Sequence, residues 1–192
     1  MIKVHIEQKE YWDDMHQQFI YVGPKEPIDL KLEHSLVSVS KWESKYHKSY
    51  TNTDNKTIDE TLDYLAMMVV GDMEDEVNPN WFRALSKEQV QRIHDYINDP
   101  MTATTISEDT SKNNGNKKIN NRIVTAELLY CWMVQLTIPF ECQHWHFNKL
   151  ITLIKVCSIE SDPDKNKKKK MTSADRAARK ARMDAARAKY KH

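Results

Sequence analysis

Residues 27–46 read Pro27-Ile28-Asp29-Leu30-Lys31-Leu32-Glu33-His34-Ser35-Leu36-Val37-Ser38-Val39-Ser40-Lys41-Trp42-Glu43-Ser44-Lys45-Tyr46, and the spacing of their apolar side chains changes midway. Before His34 the period is two: Ile28, Leu30 and Leu32 alternate with Asp29 and Lys31, which gives an extended chain one apolar face. After His34, Leu36, Val39, Trp42, Glu43 and Tyr46 fall three or four apart on one helical face, and Ser35 stands where an N-cap oxygen is wanted. A strand running straight into a helix of about three turns sets the class as α+β.

Upstream, Ile2, Val4 and Ile6 alternate with Lys3, His5 and Glu7, and Phe19 and Tyr21 continue the same period through Gln17 to Val22. Tyr11 to His16 and Gly23-Pro24-Lys25-Glu26-Pro27 then serve as connections, so residues 1–33 are expected to form one small antiparallel sheet.

Downstream, residues 34–159 are expected to be mainly helical. The polar run Ser49 to Lys56 ends at Thr57-Ile58-Asp59-Glu60, a capping-box spacing that opens Ile58, Leu62, Leu65, Ala66 and Val69 on one face. Asn78-Pro79 supplies an N-cap with proline at the first helical position for a short turn through Trp81 and Leu85. Ser86-Lys87-Glu88-Gln89 opens a helix with Val90, Ile93 and Ile97, which stops near Asp99-Pro100 because the residue before proline avoids helical angles. Ser107 to Asn121 is polar and interrupted by Gly115, the pattern of a surface loop. Arg122 to Leu136 and Phe140 to Ile159, joined by Thr137-Ile138-Pro139, are the most apolar stretches, and an antiparallel helix pair is expected from them at the centre of the core.

The 192 residues are 40% hydrophobic and 30% charged, with five Trp and eight Tyr, enough for one domain plus an appendage. Residues 1–160 hold 17 Lys and Arg against 24 Asp and Glu, a net of −7; residues 161–192 hold 12 against 4, a net of +8. Residues 1–159 are therefore expected to be one domain, and 160–192 a basic tail, flexible or helical, with a different partner. Cys131, Cys142 and Cys157 are odd in number and not closely spaced, which suggests no disulfide framework and a reducing cytoplasm. Met1 to Gln8 lacks a signal-peptide core, and no apolar run approaches the roughly 18 residues of a membrane span; no membrane is expected.

Gly23, Gly71 and Gly115 are the only glycines, so no phosphate loop or dinucleotide fingerprint can be written. Cys142 and His146 stand four apart and could share a helical face, but His144 points elsewhere, no second ligand pair follows, and no orienting third group accompanies a Cys–His nucleophile pair. No catalytic residue, metal or cofactor is expected. The acidic run Asp72 to Glu76 lacks a calcium loop's alternation. Trp42 with Lys41, Lys45 and Lys48 suits either a stacking platform or a core tryptophan under snorkelling lysines. The cations Lys167, Lys168, Lys169, Lys170, Arg176, Arg179 and Arg182 suit either an acidic protein face or a phosphate backbone. Lys41, Trp42, Lys45 and these seven are the candidate partner-binding residues.

The string His34 to Lys45 resembles the hallmark of a family of tailed-phage proteins described as tail assembly chaperones. Asp99-Pro100-Met101-Thr102-Ala103-Thr104, Ile123 to Met133 around Thr125-Ala126-Glu127, and Ile138-Pro139-Phe140-Glu141-Cys142-Gln143-His144-Trp145-His146 are similar to its later blocks, and a basic Arg/Ala-rich end is usual in it. The departures are the Asn- and Lys-rich loop at 107–121 and Tyr46, where a tryptophan is expected. The resemblance implies a non-enzymatic binder of a tail-tube, tape-measure or baseplate component, acting in the host cytoplasm. It leaves open a subunit retained in the virion tail, and a nucleic-acid-binding role for the basic tail.

Overall fold

A computed structural model describes residues 1–52, 55–74, 76–104, 123–161 and 183. It shows an α+β chain whose N-terminal part is β and whose described remainder is mainly helical. The chain divides into two compact units, Met1–Ile154 and Lys155–His192. Of the second, the described residues are the end of the last helix, residue 161 and residue 183; the expected surface loop at 107–121 and most of the basic tail lie outside the described residues.

Strand β1 (Ile2–Ile6) pairs antiparallel with β4 (Ile28–Leu32) in the register Ile2 to Leu32, Val4 to Leu30 and Ile6 to Ile28. The period-two pattern thus meets itself across the ladder and buries Val4, Ile6, Leu30 and Leu32 on one face. A short segment after the second helix adds to the other edge of β4: the Glu33 N–H donates to Met68 O at 2.7 Å and the Val70 N–H to Lys31 O at 2.9 Å.

Between β1 and β4 the chain makes a second ribbon, β2 (Lys9–Asp13) paired with β3 (Gln18–Val22). The expected single sheet is therefore two two-stranded sheets, and Tyr11 to Asp13, expected in a connection, are strand. Both faces of this ribbon are exposed, so β2 carries no apolar–polar alternation to announce it. Gly23, at φ +114°, lies where the two ribbons part; a Cβ there would sit 2.8 Å from the Glu7 carbonyl oxygen, so both its angle and its space require glycine.

Helix α1 (Leu36–Tyr46) begins at Ser35, whose N–H donates to Ser38 Oγ at 3.0 Å while Ser38 N–H returns to Ser35 Oγ. α2 (Ile58–Met67) carries the expected Thr57–Glu60 capping box. The 3-10 turn η1 (Pro79–Ala84) and α3 (Lys87–Asn98) follow, α3 opened by the Ser86–Gln89 box; Gln89 Nε2 also donates to His5 O at 2.6 Å and fastens α3 to β1. α4 (Ala126–Gln135), η2 (Phe140–His144) and α5 (Phe147–Glu160) complete the order.

The hub of the first unit is α1, not the expected pair of apolar helices. α1 packs on α2, α4 and η2, while α4 and α5 form no close hairpin among the described residues. Proline-initiated η2 explains this: it spends the sequence after Thr137, a residue at φ +56°, on a tight turn that re-aims the chain before α5 starts. Two residues expected on apolar helix faces are outside: Ile58 is 69% exposed at the first helical position, and Val90 is exposed; Ile123 is exposed too, ahead of the helix.

Candidate functional site

Trp42 has no exposed surface. Its ring packs against Tyr46 and Tyr50, and its Nε1–H donates to the Glu60 carbonyl oxygen at 2.9 Å, so no base or partner can stack on it. Its place among the partner-binding residues is corrected accordingly. The flanking lysines are tied within the fold: Lys41 pairs with Glu74, Lys45 with Asp63, and Lys48 with Glu60. The exposed Lys41–Glu74 pair contributes little stability, whereas the carboxylates of Asp63 and Glu60 are largely buried; all three pairs occupy the lysine charges. Lys167, Lys168, Lys169, Lys170, Arg176, Arg179 and Arg182 lie outside the described residues.

The Cys142–His146 spacing is not helical. η2 stops at His144, Trp145 is extended, and α5 begins at Phe147, so the two side chains do not share a helix face. Cys142 is buried, and among the described residues no group of three His, Cys, Asp or Glu side chains is placed to hold a metal ion. Trp145 is 39% exposed with Lys149 Nζ over its ring at 4.4 Å.

His146 instead joins a buried aromatic cluster. Ser35 and His146 form an antiparallel bridge, the Phe147 N–H donates to His34 O at 2.8 Å, and the two imidazoles lie 5.1 Å apart edge to face. His34 Nδ1 bonds the Tyr64 hydroxyl. Burial, reinforced by the neighbouring His146, lowers the His34 pKa to about 3, so it is neutral at pH 7. His146 Nε2 lies 2.9 Å from the Tyr96 carbonyl, which can only accept; the proton is therefore on Nε2, and Nδ1 is buried with no partner among the described residues. Burial lowers the His146 pKa as well. Burial also pushes the Tyr50 hydroxyl up to about 12 and Tyr64 well above its usual value. Such groups stay neutral near pH 7 and act as packing and hydrogen-bonding groups.

Apolar surface gathers on the β2–β3 ribbon. Tyr11, Trp12, Phe19, Ile20 and Tyr21 are each about half exposed, and Met15 at the tip is 86% exposed. Cross-strand partners share a face, so Trp12, Phe19 and Tyr21 line one side with Glu10, and Tyr11, Ile20 and Val22 line the other with Lys9 and Asp13. Trp12 and Phe19 meet edge to face at 4.9 Å. The turn is held by Asp13, whose Oδ1 accepts the Met15 N–H at 3.0 Å and whose Oδ2 meets the His16 ring at 2.6 Å. Hydrogen bonding to His16 lowers the Asp13 pKa. The ribbon is thus built locally yet leaves its large side chains in water, as surfaces that bind do. The aromatic density of residues 11–21 was the sequence signal for it.

No protein-family model, curated protein or solved structure matches the chain. No helix among the described residues is long and apolar enough to cross a membrane.

Proposed function

We propose that this chain is a non-enzymatic accessory protein of tailed-phage tail assembly, acting in the host cytoplasm as a chaperone-like binder of a tail-tube, tape-measure or baseplate component. The observation that carries the reading is the β2–β3 ribbon, two opposite faces of aromatic and aliphatic side chains held outside the core by a locally bonded turn. A binder of aggregation-prone chains needs such a surface, because apolar contact is non-directional and tolerates varied partners. The resemblance adds support. Its first and last blocks, residues 34–45 and 138–146, meet at the Ser35–His146 bridge. Residues 161–192, net +8, suit an acidic face of the same component.

Co-expression with candidate tail-tube, tape-measure and baseplate proteins tests the proposal. One of them is expected to stay in the supernatant only when this chain is present and to co-purify with it. Stoichiometric recovery of this chain from purified virions by mass spectrometry identifies a retained tail subunit instead. Binding of DNA with a steep salt dependence, and of no tail protein, transfers the function to the basic tail.

A further inference from the structure

We propose that the outer edge of β3 pairs antiparallel with the same edge of a second copy, giving a four-stranded sheet in the order β2, β3, β3, β2. This goes beyond the partner-binding role, because edge pairing leaves both faces of the ribbon open.

Charge placement points to this edge. β2 carries Lys9, Glu10 and Asp13, the kind of residues that guard a strand edge against pairing, whereas Gln18-Phe19-Ile20-Tyr21-Val22 carries no charge. Among the described residues, the backbone of β3 makes no hydrogen bond beyond its ladder with β2, so its outward N–H and C=O groups face water. η1 packs at the base of β3, where Gly23 lies against Ala84, and residues 18–21 are exposed.

The edge is self-complementary. With the two-fold axis at Ile20, Ile20 faces Ile20 of the second copy, Phe19 faces its Tyr21, and Gln18 faces its Val22. That makes two aromatic cross-strand pairs and no like-charge contact. Facing residues share a side of the sheet, so Trp12, Phe19 and Tyr21 of both copies merge into one aromatic face. Every charged residue of the two strands then lies on an outer strand. The assembly closes at two, since no uncharged edge is left to recruit a third copy. Pairing through β2 lacks this property, because it leaves both β3 edges bare. Four strands also exceed the minimum at which a sheet is stable in water, which a two-stranded ribbon does not reach.

Sedimentation equilibrium of the full chain, from low micromolar to a few hundred micromolar, reads the association. The average mass is expected to rise toward twice the monomer mass, and alternate β3 amides to gain exchange protection with it. Ile20→Lys sets two cations against each other at the axis and weakens association by about tenfold or more. Phe19→Lys, facing Tyr21 of the second copy, is the second variant and behaves likewise. Tyr11→Lys lies on the same face as Ile20 but one strand away from the axis, and leaves the dissociation constant within about threefold. A chain that is monomeric over the whole range overturns the proposal. So does a dimer indifferent to Ile20→Lys and Phe19→Lys, and so does one weakened equally by Tyr11→Lys, which would be packing face to face.

Discussion

The carboxylate of Glu43 caps α4 from across the core: its Oε2 accepts the Ala126 N–H at 2.6 Å while its Oε1 accepts the Tyr50 N–H at 2.7 Å. Thr125, the N-cap by position, makes no side-chain cap bond, so Glu43 supplies the acceptor that the local sequence does not. One buried side chain on α1 thereby ties down the start of α4 and the loop after α1. Glu43→Ala leaves two backbone donors without their acceptor and is expected to cost about 2 to 4 kcal/mol. Urea unfolding reads the loss, and amide exchange at Ala126 should quicken more than at Leu129. A change under about 0.5 kcal/mol would show that water replaces the carboxylate freely.

Trp42 and Glu60 make the second long-range tie. The indole N–H bonds the Glu60 carbonyl, the Glu60 carboxylate closes the α2 capping box, and Lys48 pairs with that carboxylate. Trp42→Ala is expected to cost about 3 to 5 kcal/mol, the range for a truncated buried aromatic. Trp42→Phe keeps most of the packing and loses only the indole hydrogen bond to the Glu60 carbonyl, which stays within the α2 ladder, at about 1 kcal/mol. Equal losses for the two variants would mean that the hydrogen bond, not the ring volume, dominates.

These ties show what was legible in the sequence. Capping boxes at Ser86 and Thr57, the Ser35 cap, and the period-two runs of β1 and β4 are local signals, each written within a few residues, and each lies where the sequence places it. Glu43 and Trp42 act on partners 83 and 18 residues away, and no local period encodes those pairings. The same applies to α1 as hub: apolar content singled out 122–136 and 140–159, but burial of α1 is decided by what packs on both its sides. The exposed ribbon was half legible. Phe19 and Tyr21 gave β3, whereas Tyr11 and Trp12 sit among charges and resemble a turn.

Acid should destabilise the fold through His34. In the unfolded chain this imidazole takes up a proton near its ordinary value of 6.5, whereas in the native core it stays neutral down to about pH 3. The unfolded state therefore binds more protons between those values, so the contribution is intact above pH 6.5 and is lost as pH falls toward 3. His34 alone gives a slope of about 1.4 kcal/mol per pH unit inside that window. His146, lowered by burial, adds in the same direction. Unfolding free energies at pH 7, 6 and 5, roughly above the titration of ordinary carboxylates, isolate the histidines. His34→Gln is expected to be less stable at pH 7 but to show a shallower slope; an unchanged slope would assign the acid loss to other groups.

Removing the ribbon's aromatics should separate binding from folding. Trp12 and Phe19 are half exposed and lean mainly on each other, so Trp12→Ser forfeits an edge-to-face pair valued at about 0.5 to 1.5 kcal/mol and little core burial. Its melting temperature should fall by only a few degrees, well short of Trp42→Ala. Partner association should suffer far more, because aromatic anchors at an interface commonly contribute about 2 kcal/mol or more, a loss of about thirtyfold or greater. Titration of the purified tail component against wild type, Trp12→Ser and Phe19→Ser gives the comparison, with circular dichroism confirming that each variant is folded. Val90→Ser, at an exposed apolar residue of α3 remote in sequence from the ribbon, controls for general loss of surface hydrophobicity and should bind as wild type. If Trp12→Ser and Val90→Ser weaken binding equally, the ribbon is not the contact. If Trp12→Ser melts as early as Trp42→Ala, the ribbon belongs to the cooperative core, and its exposed side chains stabilise the fold itself.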